Sequence, residues 1–230
     1  ISPGSVAVTL GVGTDTPSVS LAPGDSATTS DTFTLQTSSG TDVIQSVTVT
    51  LASSTSQALS LVEITSDNEA TVYGSTTTPS TDTFTITTTA LTANTTLTQY
   101  RVRITPKSHA NMPAVPGATY NVTSYVSNLK TTTGGKTGSD TGGATSTIIT
   151  IDNTSPSTPS SVSGATHVGI EQIVITYTNA TTTDAVTTIV LRKSGSAVTD
   201  SPVEGTTYTA GNTIGASTVT CASNSITLGG

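Results

Sequence analysis

A two-residue alternation, returning along nearly the whole chain, limits its folding options more than any other feature. From Ser5 to Val12, Val6, Val8, Leu10 and Val12 fall on one side, and Ser5, Ala7, Thr9 and Gly11 on the other. From Leu97 to Thr105 it recurs, with Tyr100, Val102 and Ile104 set against Gln99, Arg101 and Arg103. Successive side chains of an extended strand point to opposite faces, so this pattern predicts strands with one buried and one solvated face. Val and Thr suit such a pleated surface, whereas the helix formers Glu, Lys, Gln, Arg and Met are scarce. The expected class is all-β, with almost no helix.

Charged residues make up only 9% of the chain, a level compatible with disorder, but disordered chains lack regular β-branched alternation. With 7 Lys+Arg against 14 Asp+Glu and a net charge of -7, the chain lacks the clustered cations that nucleic-acid phosphates demand. The single cysteine, Cys221, excludes an internal disulfide and is expected to be a small buried strand residue. No apolar run approaches the roughly 18 to 20 residues of a membrane span, and no charged-then-apolar leader is present. Because the first residue is Ile1, the expectation is a processed mature form or a fragment. Separately, the chain is expected to be secreted, extracellular or at the cell surface.

Further strands are expected at Val19 to Leu21, Thr29 to Thr37, Val43 to Leu51, Leu59 to Thr65, Ala70 to Tyr73, Thr83 to Thr89, Ala118 to Ser127 and Ser146 to Asp152. In Ala118 to Ser127, Tyr120 and Val122 share a face and Tyr125 follows a break in phase. Gly-rich Thr131 to Gly143 reads as a flexible hairpin loop. Short strands divided by turn signals, with no helix, predict a sandwich. Residues 1–16 form an N-terminal extension strand, 17–152 a sandwich, 153–160 a linker and 161–230 a second β domain. Prolines in Asp152 to Pro159 exclude a continuing central strand. Strands of the second domain are expected at Glu171 to Thr178, Val186 to Lys193, Thr206 to Thr209 and Ser217 to Ala222. Inward residues of the first domain are Phe33, Leu35, Val47, Val49, Leu61, Ile64, Phe84, Ile86, Tyr100, Val102, Ile104, Tyr120 and Ile149.

The junction Asp152 to Pro159, the run Gln172-Ile173-Val174-Ile175-Thr176-Tyr177-Thr178-Asn179 and the run Thr188 to Ser194 resemble the fibronectin type III and related immunoglobulin-like modules of bacterial surface proteins. The resemblance covers the chain from about Asp152 onward, with Tyr177 where the family normally carries a core Trp. It implies two immunoglobulin-like β-sandwich domains in tandem, and spacers, stalks, adhesins or filaments rather than chemistry. A complete module continues past Cys221 with two further strands, so the C-terminal domain reads as truncated, with an open sheet edge that another chain could cover.

His109 and His167 have no second His or Cys at metal-ligand spacing, and no Gly-x-Ser-x-Gly elbow is present. Neither an enzyme nor a cofactor is expected. Asp67, Glu69 and Asp152 are weak calcium candidates, weighed against turn residues that bond their own backbone. Asn94, Asn121, Asn153 and Asn179 match the N-glycosylation pattern, which recurs by chance in so Thr- and Ser-rich a chain. The segment Lys107 to Gly117 is either a contact loop or a rigid Pro-bearing connection.

The leading expectation is a structural subunit of an extracellular fibre, whose partners are copies of itself. Ser5 to Val12 of one chain, through Val6, Val8, Leu10 and Val12, would complete the sheet of a neighbour. Such a head-to-tail contact does not close on itself and builds an open filament. The competing reading of Ser5 to Val12 is the first strand of its own domain. An adhesin or carbohydrate-binding stalk is the alternative function, with a glycan as its ligand, but sugar platforms use exposed aromatics and the chain has no Trp, 2 Phe and 6 Tyr.

Overall fold

A computed structural model of the chain describes residues 6–113, 118–141, 147–154, 158–167, 172–179, 188–202 and 208–222. The fold is all-β: strands account for 54% of it, no helix reaches seven residues, and several sheets form a sandwich-like structure. Internal contacts divide the chain into two compact units, Ile1–Thr154 and Ser155–Gly230.

In the first unit the strands are β1 (Ala7–Val12), β2 (Val19–Leu21), β3 (Thr28–Thr37), β4 (Asp42–Leu51), β5 (Leu59–Ser66), β6 (Val72–Thr77) and β7 (Thr83–Thr87). They continue with β8 (Thr92–Ala93), β9 (Thr98–Pro106), β10 (Thr119–Val122), β11 (Ser124–Thr131), β12 (Gly135–Gly138) and β13 (Ile149–Asp152). One sheet runs β12-β1-β3-β9-β5-β6; the others run β11-β4-β7, with β8 also on β4, and β10-β13-β2. Only Thr123 separates β10 from β11, so one extended segment links the two smaller sheets. The pairings β1 with β12 and β2 with β13 are parallel.

A single apolar cluster draws on all three sheets, including Phe33, Leu35, Val62, Ile64, Val102 and Ile104 from the large sheet and Val47, Val49, Ile86, Val126, Ile149 and Ile151 from the others. Full burial of such side chains contributes about 1.5–3 kcal/mol each. Tyr100 stacks on Phe33 with ring centroids 5.7 Å apart, and its hydroxyl donates to the Thr92 carbonyl at 3.0 Å. Between the sheets, Ser30 and Ser124 share a buried hydrogen bond of 2.7 Å.

Bulges explain where inward positions depart from strict alternation. Leu61 is half-buried, while Val62 and Ile64 are fully buried. The ladder between β5 and β9 shifts register between Leu59 and Leu61, and the extra residue turns Leu61 away and Val62 inward. Phe84 is likewise half-buried; the other inward residues expected from the sequence are buried. In β10 and β11 the phase does not break before Tyr125: Tyr120, Val122, Ser124 and Val126 are all buried and Tyr125 faces the other way. The irregularity comes later, between Val126 and Asn128, and brings Leu129 inward.

The Gly-rich stretch after Thr131 holds β12, whose glycines serve close approach rather than flexibility. A Cβ on Gly135 would lie 2.9 Å from the Val6 carbonyl, and one on Gly138 would collide with the Leu10 carbonyl. Residues 142 and 143 of that stretch, 144–146 with the start of the strand expected at Ser146 to Asp152, and 114–117 of the Lys107 to Gly117 segment lie outside the described residues.

In the second unit, β14 (Ser160–His167) pairs with β15 (Gln172–Thr178), and β16 (Ile189–Arg192), β18 (Ser217–Ala222) and β17 (Thr213–Ile214) form a three-stranded sheet in that order. β14 has no counterpart among the expected strands, since Ser160 to Gly164 offers little apolar contrast. Thr206 and Thr207 of the strand expected there lie outside the described residues, and Tyr208 and Thr209 are not in a strand.

Candidate functional site

β1 is where the expected assembly residues lie. In the single chain it pairs antiparallel with β3, from Val8 opposite Thr37 to Val12 opposite Phe33, and parallel with β12. Val8 and Leu10 are buried in the core, Val6 is half-buried, and Val12 is 43% exposed at the end of the strand. Thr133 donates to the Val6 carbonyl at 2.8 Å, and the Asp42 carboxylate anchors the same Thr133. In the single chain β1 is thus a strand of its own unit, and a β1 that left would open a groove over Phe33 and Leu35.

The acidic residues picked out for calcium are held by other partners. Asp67 accepts from Gln99 at 2.8 Å and from Arg101 at 3.0 Å. The Gln99 bond and the Arg101 guanidinium together hold its carboxyl below the ordinary value. Glu69 bridges Arg101 and Arg103, each at 3.2 Å. Asp152 accepts from the Thr154 backbone at 2.9 Å, the self-capping turn that was the competing reading. No three His, Cys, Asp or Glu side chains among the described residues are arranged to hold a metal ion.

The glycosylation candidates separate by exposure. Asn94 and Asn121 are exposed, with side-chain oxygens accepting from Thr96 and Thr150. Asn179 is half-buried and accepts from Thr188 at 3.2 Å. Asn153 requires a correction: it is 4% exposed and its amide nitrogen donates to the Pro113 carbonyl, so the folded chain has no room there for a glycan. For a sugar platform, Tyr100 and Tyr120 are buried and Tyr73, Tyr125, Tyr177 and Tyr208 half-buried, leaving no broadly exposed tyrosine ring.

Sequence reasoning missed a cluster of three aspartates, at positions 15, 31 and 140. Asp31 sits on the inward face of β3, in phase with Phe33 and Leu35, and both Asp31 and Asp140 have no exposed surface. One Asp140 oxygen accepts from the Val126 backbone at 2.8 Å; its other oxygen and both oxygens of Asp31 lack a well-formed hydrogen bond, the neighbouring Thr32 N–H being directed at Asp15. Asp15, in the connection from β1 to β2, accepts from the Thr32 backbone and hydroxyl, each at 2.9 Å. Burial, then the charges of Asp140 and Asp15, push the Asp31 carboxyl up to about 9. Burial also raises Asp140, to about 7, against the bond from Val126. The signal legible in the sequence was an acid at an inward strand position; the convergence of three distant residues was not.

No family model matches the chain, and no curated protein matches it.

Proposed function

We propose that the chain is a non-enzymatic, immunoglobulin-like structural subunit of an extracellular or cell-surface filament, joined head-to-tail by donation of β1 between copies. The observation that carries this reading is the position of β1. Among the described residues, β1 is the first strand and one of its edges is covered only by β12, a four-residue parallel strand. Its inward Val8 and Leu10 fill the groove that an identical strand from a neighbour would fill equally well. Exchange of identical elements is a low-cost route to association, and an exchange that does not close gives a filament. The immunoglobulin-like part rests on pairing order, with β3-β9-β5 on one side and β2-β13-β10/β11-β4 on the other, including a parallel pair between an early and a late strand.

Deletion of residues 1–13, followed by electron microscopy of concentrated protein, tests the reading. The truncated chain is expected to form no filaments and, when supplied with a peptide of residues 1–13, to recover a folded monomer without polymer. Filaments of normal length from the truncated chain overturn it.

A further inference from the structure

We infer that Asp31 and Asp140 share a proton in the folded chain, making a clasp between β3 and the segment after β12 that holds in mild acid and loosens in alkali. The inference is independent of the filament proposal. Two carboxylates have no hydrogen to offer each other, so as ions both Asp31 oxygens and one Asp140 oxygen stay buried and unpartnered. Burying an unpaired charge is costly enough that such a group takes up a proton instead. One proton from solvent turns Asp31 into a donor, and its O–H fills the vacant acceptor on Asp140, whose other oxygen already accepts from Val126. The pair then buries one charge rather than two, and in mild acid a second proton, on Asp140, removes that charge as well while the bond between the two carboxyls persists.

Among the described residues, no basic group faces the pair from the strands around it. On β9, Val102 lies opposite Asp31, while Arg101 and Arg103 occupy the other face, paired with Asp67 and Glu69. Lys136 of β12 lies opposite Val8, and Tyr125 of β11 points away from the buried Ser124 and Val126. The remaining charge near the pair is that of Asp15, which opposes ionisation of both. A raised folded pKa means that the folded chain keeps protons the unfolded chain has released. Stability is therefore fully present below the ordinary Asp value of 3.8 and falls as pH rises through about 7 and about 9.

The test is the thermal midpoint of the first unit, followed in the full chain through amide signals of β3 and β11, from about pH 5 to about pH 9. A fall of at least about 5 °C is expected across that range. Asp31→Asn, which is neutral throughout, should flatten the profile by raising the midpoint at the alkaline end. An infrared carbonyl band from a buried protonated carboxyl should be present in the unaltered chain at neutral pH and absent in Asp31→Asn. If that variant does not fold, carboxyl-carbon NMR of the unaltered chain decides: titration of both aspartates near 3.8, the ordinary value, overturns the inference. So does an unchanged slope in Asp31→Asn. A midpoint near pH 8 that millimolar Ca2+ raises and EDTA lowers would assign the cluster to a cation and overturn it as well.

Discussion

In the first unit, β3, β5 and β9 turn Phe33, Leu35, Val62, Ile64, Val102 and Ile104 toward a common core, and each of these is 0% exposed. In the second, Val162 on β14 is 66% exposed, and Ile214 and Val219 are the buried apolar residues among those whose side chains are described. Both units draw on the same Thr- and Ser-rich composition and both form antiparallel strands. They differ most at β14, where Ser160 to Gly164 carries no large apolar residue at every second position, whereas β15 has Ile173, Ile175 and Tyr177 at that spacing. Burial fixes register because a one-residue slip would turn an entire apolar face to water. Along Ser160 to Gly164 of β14 neither face carries such a row, so a slip there costs little, and the second unit also holds local polar ties. There Asp200 accepts from Ser217 at 2.6 Å and pairs with Lys193 at 3.5 Å.

Truncation in the first core should give the largest effect. Phe33→Ala removes a fully buried ring and its stacking on Tyr100, and should cost about 3–5 kcal/mol, read as a lower urea midpoint for the first unit. Val62→Ala and Leu61→Ala sharpen the comparison within one strand. Val62, turned inward by the bulge, should cost about 1.5 kcal/mol or more for its two lost carbons, and Leu61 clearly less. Equal losses would place the bulge elsewhere.

Across the units, Val219→Ala should cost about 1–2 kcal/mol, in the second unit only. Val162→Ala should stay within about 0.5 kcal/mol of the parent. A large loss at Val162 would break the comparison, since it would reveal a core that its exposure does not show.

A smaller effect concerns acid. Burial raises the Asp82 carboxyl, but backbone N–H bonds from Ser56 at 3.0 Å and Ser54 at 2.6 Å outweigh it and hold the group below 3.8, the ordinary value. A depressed folded pKa supplies stability above the ordinary value, which is lost as pH falls below it. Asp82→Ala should cost about 1 kcal/mol near neutral pH and remove that part of the acid sensitivity. An unchanged acid limb would show that the two amides do not depend on Asp82.

Much of the fold was legible because alternation is a local signal. β3, β4, β7 and β9 lie within about two residues of their expected limits. The misreadings share one cause, which is that the deciding partner was remote in sequence. Leu61 turned outward through a bulge in its ladder with β9, and the glycines of β12 looked like a flexible loop until β1 lay against them. Asp67 and Glu69 resembled cation ligands until Arg101 and Arg103 of β9 reached them. The aspartate cluster lay deepest, since only the folded topology brings positions 15, 31 and 140 together.

Filament assembly through β1 is tested most directly by a disulfide across its pairing with β3. Thr9 and Gln36 lie opposite each other. Thr9→Cys with Gln36→Cys, in a Cys221→Ser background, places two thiols at a cross-strand position suited to bridging. In filaments built by exchange, each disulfide joins two chains, so a non-reducing gel of oxidised filaments should show a ladder of covalent multimers. Filaments that yield only monomers would show that β1 stays in its own chain, and a protein that forms no filaments at high concentration would contradict the fibre itself.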